Sequence, residues 1–233
     1  DPNEVITVSG SNVGIGTSSP DATAHLHVRD DGANYNAKAI VQATDQRLTL
    51  GAYWEAGVDQ YSYINSSSAT ETIAQDLAFR TGNTERMRIN GAGHVTMPYQ
   101  PNFSASGSGL LSWSAGSTIS KIVPLTYVPH NVGGHFSAST YRFTAPVAGN
   151  YFFSAKATQT GTATGASLFL TKNGAVFGFE MAIGYSVAYH SFGGETIIPL
   201  AVNDYVDMRI SNNNSIAMNI DKGRCSLSGF LIG

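Results

Sequence analysis

An intrachain disulfide is excluded at the outset. The 233 residues contain one cysteine, Cys225, and a lone thiol cannot close an intrachain bridge. Cys225 sits in the alternating stretch CSLSGFLI, the setting of a buried core thiol rather than of a nucleophile. Charge is scarce too. Asp, Glu, Lys and Arg supply 12% of the chain, against about 25% in an ordinary globular protein. The net charge is -3, which offers no basic footprint for nucleic acid or an anionic membrane. No run approaches the ~18 apolar residues of a membrane helix, so no membrane insertion is expected. The opening DPNEVITV has no positive n-region and no long apolar h-region, unlike a secretory leader. It also lacks an initiating Met, as expected of a fragment or a processed chain.

Helical signals are nearly missing. No three-turn stretch combines 3.6-residue apolar spacing with caps. The best candidate, 69–79, is Thr-rich and weakly periodic. What is present instead is Ser, Thr, Asn and Gly around short apolar alternations, with turn residues every ten positions or so. That spacing predicts an all-β chain.

The clearest strands follow residue 120. NYFFSAKAT (150–158) puts Tyr151, Phe153, Ala155 and Ala157 on one face. SLFLTKNGAVFGF (167–179) reads as a hairpin, because Asn173-Gly174 suits a type I′ turn. IIPLAVNDYVDMRI (197–210) turns at Asn203-Asp204, and Pro199 marks an edge strand or a bulge. Residues 216–232 hold two last strands about Asp221-Lys222-Gly223.

Residues 1–97 differ. Their strands are short, polar and broken. ITVSGSNVGI (6–15) and MRINGAGHVTM (87–97) share one plan: apolar-x-apolar, a Gly/Asn/Ser turn, apolar-x-apolar. Each hairpin has too little apolar surface to stand alone in water. Neighbouring chains are the expected cover. Between 98 and 117, Pro, Ser and Gly dominate and mark a junction. The domains are therefore set at 1–97, a slender intertwined shaft, and 98–233, a compact head.

The glycines at Gly14 and Gly16 invite a nucleotide reading. A dinucleotide fingerprint needs a third glycine and a following helix, and a P-loop needs G-K-[ST]. Thr17-Ser18-Ser19-Pro20 follows instead, so these glycines read as turn and close-approach positions in a shaft. His25 and His27 share a strand face at i, i+2; repeated about a three-fold axis they would form a ring. The plainer reading is a histidine pair in a shaft wall, and no metal or cofactor is assigned. Asp204 and Asp207 are the acids available for a calcium site, but their spacing alone does not build one. Glu180, Glu195 and Asp221 have no companion motif for glycan hydrolysis, and no G-x-S-x-G elbow is present. No catalytic residue is assigned, and the chain is not expected to be an enzyme.

Several motifs point to known families. PNFSAS (101–106), HNVGGHFSASTYRFTAPVAGNYFFSAKA (130–157), LTKNG (170–174), LAVNDYVDMRI (200–210) and CSLSGFLIG (225–233) occur in the order found in the C1q/tumour-necrosis-factor-like domain. The region 101–233 resembles that domain, with Asn203 where Gly is usual. The resemblance implies a ten-stranded jelly-roll head that assembles as a homotrimer and works in recognition. NVGIGTSSPDATAHLHV (12–28) and ERMRINGAGHVTM (85–97) resemble repeats of bacteriophage tail-fibre shafts. That implies a virion fibre, extracellular, joined upstream to other tail proteins. Its head would attach to a host cell-surface glycan or protein receptor. A purely structural trimerisation cap, of a virion fibre or a bacterial surface protein, is the rival reading. A glycan-degrading tailspike is the third. Aromatics in expected loops, among them Trp113, Tyr127 and Phe192, suggest where recognition occurs. The receptor-binding candidates are Phe177, Tyr185, Tyr189, His190 and His135, most of them in the Gly- and Tyr-rich stretch 177–194. Tyr suits such contact because it presents a rigid amphipathic surface at low entropic cost. The competing reading places these rings in the core or a trimer interface.

Overall fold

The computed structural model describes residues 6–15, 26–28, 35–54, 61–68, 75–115, 119–161, 165–182, 189–212 and 216–233. Among these residues there is no α-helix. The chain divides into two compact units, Asp1–Pro98 and Tyr99–Gly233.

The first unit holds three three-stranded sheets. One joins β1 (Ile6–Ser9), β2 (Asn12–Ile15) and β3 (Leu26–Val28). The second joins β4 (Tyr35–Ala43), β5 (Gln46–Trp54) and β6 (Tyr61–Ser68). The third joins β7 (Leu77–Thr81), β8 (Thr84–Ile89) and β9 (Val95–Thr96). Both hairpins read from the repeat are present, as β1–β2 and β8–β9. The weak helix candidate is not a helix where described: residues 77–79 open β7, and 69–74 lie outside the described residues. Beside the polar segment, Phe79 and Leu77 pair across to Met87 and Ile89, so alternation with a partner strand prevails over weak helical spacing.

This unit has an inverted section. Leu48 and Leu50 on β5 alternate with Arg47 and Thr49, and Leu50 pairs with Ile64 on β6. Leu48, Leu50 and Ile64 are exposed, whereas Thr49 and Ser67 are buried. Elsewhere Ile6 is 71% and Val8 70% exposed. Among the side chains described before residue 98, no large hydrophobic one is buried. The hydrophobic effect, which contributes roughly 1.5–3 kcal/mol per fully buried large side chain, is thus left largely unused here.

The second unit is the reverse. Its strands are β10 (Asn102–Ser106), β11 (Leu110–Trp113), β12 (Ser120–Ile122), β13 (Tyr127–Val132), β14 (Phe136–Ser137) and β15 (Arg142–Thr144). They continue with β16 (Gly149–Thr160), β17 (Ala166–Lys172), β18 (Ala175–Ala182), β19 (His190–Leu200), β20 (Tyr205–Asn212), β21 (Met218–Asp221) and β22 (Ser226–Leu231). A seven-stranded sheet runs β11-β21-β16-β22-β10-β13, with β19 also paired to β16. A six-stranded sheet runs β14-β15-β20-β17-β18, with β12 paired to β20. The two sheets enclose one core.

The period-2 reading of β16 sets that core. Tyr151, Phe153, Ala155 and Ala157 are all buried, while Asn150 and Lys156 face out. Phe103 stacks on Phe136 and Phe143 with ring centroids 4.8 and 5.1 Å apart. Phe143 meets Tyr151 at 5.3 Å, and the Tyr151 hydroxyl donates to the Val147 carbonyl at 2.8 Å. That bond satisfies the one polar atom of an otherwise apolar ring. The β17–β18 turn has φ of 52° at Asn173 and 84° at Gly174, as a type I′ turn requires. β19, with Pro199, pairs only with β16 on its ladder side and lies at the edge of its sheet. Pro199 stands opposite Asn150 there.

Candidate functional site

The two outer faces of the head carry different chemistry. On the seven-stranded sheet, register places Ile197, Phe152, Phe230 and Asn102 in one row across β19, β16, β22 and β10. The Phe152 and Phe230 rings lie 5.2 Å apart. Ile197 and Phe230 are exposed, as is Ile232 just beyond β22. The next row, Glu195, Ser154, Ser228 and Ser104, is polar. The His130 ring nitrogen contacts the Asn102 side-chain oxygen at the same margin. Apolar side chains from neighbouring strands thus lie side by side on this sheet face and partly open to water. A shallow cavity of about 470 Å³ beside them is lined by Ser154, Ala155, Lys156, Ser191, Gly193 and Glu195.

On the six-stranded sheet the outer face is charged. Asp207 is wholly buried there and pairs with Arg142 and Arg209. At the adjoining turn Asp204 accepts hydrogen bonds from the Asn173 amide at 2.7 Å and the Ala201 N–H at 2.8 Å, and Lys172 lies 3.0 Å away. These donors, the Asn173 amide first, hold the Asp204 carboxyl down at about 2. Both acids weighed for calcium are therefore occupied within the fold. Among the described residues no group of three His, Cys, Asp or Glu side chains converges as a metal site does.

The residues expected to touch a receptor are dispersed. Tyr185 lies outside the described residues. Tyr189 is exposed, has φ of 60°, and receives the Arg224 guanidinium over its ring at 4.9 Å. His190 opens β19 opposite Gln159. Phe177, on β18 opposite Leu170, packs against the core. His135 precedes β14, and its carbonyl accepts from the Thr144 N–H at 2.8 Å. That places His135 near the end of the sandwich where β19 passes into β20. Tyr189 and His190 stand at the other end, a β16 length of roughly 35 Å away. Two further aromatics read as loop residues belong to strands: Trp113 ends β11 and Phe192 lies in β19, and both are buried. The Trp113 indole N–H donates to the Ile119 carbonyl at 2.8 Å. Tyr127, in contrast, is exposed on β13.

Among its described residues the first unit holds a cleft of about 530 Å³, lined by Gln46, Ser66, Gln75, Asp76, Arg80 and Arg88. Arg88 ties it together: its guanidinium binds Asp76 at 2.5 Å and Glu85 through Nε at 2.9 Å. The hydrogen bond from Arg88 is the largest influence lowering both carboxyls.

Two antiparallel sheets enclosing an aromatic core, closed by a central final strand, define a jelly-roll sandwich domain. A model of the C1q domain family matches residues 104–232, more than half of the chain. The chain therefore belongs to the C1q domain family. Members typically form homotrimers and serve as binding or structural modules. No curated protein matches the chain significantly. Among solved structures, the globular domain of zebrafish complement 1qA is 19% identical, with 57% of this chain and 98% of that one covered and a TM-score of 0.42. Murine APRIL is 11% identical over 57% and 99%, with a TM-score of 0.44. The PRD1 vertex protein P5 is 14% identical over 68% and 82%, also at 0.44. None is close enough in sequence or shape to transfer a function.

Proposed function

We propose that the protein is a homotrimeric attachment fibre of a bacteriophage: a β shaft over residues 1–97 and a C1q-type head over 98–233 that binds a host-surface glycan or outer-membrane component. One observation carries this reading. The first unit buries no large hydrophobic side chain among those described, and its apolar strand faces lie open. A sheet of three short strands is not independently stable without a covered apolar face. Copies of the same segment supply that cover. The ridge of Phe152, Phe230 and Ile197 gives the head a matching face for self-association.

Three heads on one axis present three equivalent sites, so weak individual contacts add through effective concentration. Tyr189 and His190 remain candidates at one end of the sandwich, with His135 at the other and Phe177 behind as support; Tyr185 remains a candidate from the sequence alone. Catalysis plays no part in this model.

Host-cell binding by the intact protein tests it, run beside light scattering. A trimer that binds cells saturably is the expected result. A monomer at micromolar concentration would remove the shaft, and an intact trimer blank on all host strains would leave the structural cap.

A further inference from the structure

Core packing does not use the charged outer face of the six-stranded sheet, and the ridge proposed for self-association lies on the other sheet. Three strands meet there by register: Arg142 on β15 stands opposite Asp207 on β20, and Asp207 stands opposite Thr171 on β17. Asp207 is 0% exposed. Its Oδ1 accepts from the Thr171 hydroxyl at 2.5 Å and from Arg209 Nε at 2.8 Å. Its Oδ2 accepts from Arg142 Nε at 3.2 Å and Arg209 Nη2 at 3.4 Å. Four donors therefore saturate one carboxylate.

The charges do not balance. Two guanidiniums meet one carboxylate, which leaves one net positive charge. Arg142 reaches Asp207 through Nε alone, so its two terminal nitrogens make no hydrogen bond among the described residues. The Tyr205 ring lies under its guanidinium at 4.1 Å, which fixes the plane of the fork. Arg142 and Arg209 are both partly open to solvent. Of the other acids, Asp204 is held by Asn173, Ala201 and Lys172. Glu180 stands two strands from Arg209 by register, across Phe169. An exposed Val176 lies across β17 in the Asp207 row.

We propose that Arg142 and Arg209 form an oxyanion-binding fork that takes the carboxylate or sulfate groups of an acidic cell-surface polysaccharide. The chemistry is that of a planar guanidinium, whose paired N–H groups match a carboxylate or sulfate edge. The buried Asp207 acts as the positioning residue. It holds both side chains in place before a ligand arrives, so little rotamer entropy remains to be lost. Because the apolar ridge lies on the opposite sheet, self-association through it leaves the fork facing outward. The inference rests on the attachment reading and names its ligand class.

The test uses the full chain immobilised against a polyuronate, a sulfated dextran and unmodified dextran, with inorganic sulfate as competitor. Wild type is expected to bind one or both polyanions and not unmodified dextran. Arg142→Gln leaves Asp207 paired to Arg209 and is expected to weaken polyanion binding tenfold or more. Arg142→Lys keeps the charge without the fork and is expected to fall between them. Lys156→Gln, on the other sheet, is expected to change binding less than twofold. Melting temperature and mass confirm that each variant is folded and assembled. Equal losses in Arg142→Gln and Lys156→Gln would overturn the fork in favour of diffuse charge, and so would unaltered binding in Arg142→Gln. Preference for the polyuronate or the sulfated chain identifies the anion. If the fork binds polyanions while the protein fails to bind any host cell, the attachment reading fails and the fork survives.

Discussion

Cys225 shows how burial governs one side chain. It is 1% exposed, and desolvation pushes its thiol up to about 11. A neutral, enclosed thiol is a poor nucleophile. Ellman's reagent at pH 8 should leave the native protein unlabelled and label one thiol per chain in guanidinium; rapid native labelling would contradict the packing. Asp204 shows the opposite shift. Its folded carboxyl sits at about 2, below the ordinary range of an aspartate. A depressed folded pKa adds stability that is complete above the unfolded value and fades as pH falls through the folded one. The melting temperature should therefore decline between about pH 4 and pH 2, and Asp204→Asn should decline less steeply over that window. Parallel profiles would show that Asp204 does not contribute. The sequence located Asp204 at its turn, but not its ligands: Asn173 lies 31 residues away and meets it only through the β17–β20 pairing.

At the scale of elements, strands obey their periodicity wherever one face meets a core. β16 does so along its first nine residues, and both its faces were legible because Tyr151 and Phe153 alternate with Phe152 and Ser154. Its pairing with β19 imposes a further demand that no pattern announces. A Cβ on Gly193 would stand 2.4 Å from the Ala155 carbonyl oxygen and 3.1 Å from the Lys156 Cα. Both obstacles are backbone, so Gly193→Ala should force the strands apart and cost roughly 1–3 kcal/mol in urea unfolding. A loss below the measurement error would refute that close approach. Tyr151→Phe removes a buried hydrogen bond and should cost about 1 kcal/mol. The first hairpin redistributes its glycines. Gly10, with φ of 62°, makes the turn. Gly14 lies within β2, between Thr7 of β1 and His27 of β3, while Gly16 falls outside the described residues. Gly93, with φ of 84°, is the counterpart turn of the β8–β9 hairpin.

For the whole molecule, the contrast between a cored unit and an uncored one yields a prediction about assembly. Leu50→Lys or Ile64→Lys introduces a charge on a face already open to water in the single chain. For a monomer, such a surface change should alter stability by no more than ~0.5 kcal/mol. For the proposed shaft it should break the assembly or lower its melting temperature markedly, read by light scattering and calorimetry. Phe230→Lys makes the same test at the head ridge. A wild-type-like mass and melting curve in all three variants would count against self-association through these faces.

The sequence by itself determined the all-β class, most head strands, the Asn173-Gly174 turn and the C1q resemblance that the family match confirms. These follow from local rules: alternation, turn chemistry and the order of short motifs. Tertiary structure alone decided which rows of side chains share a face. Trp113 and Phe192 looked like loop aromatics, and strand pairing turned them inward. Arg142 and Asp207 are 65 positions apart and touch only because β15 lies beside β20. Alternation records which way a side chain points on its own strand, but not which strand lies next to it. Neighbours are chosen by sheet order, a property of the whole chain's packing, and that order is what brought Arg142 to a buried carboxylate that Arg209 already faces along its own strand.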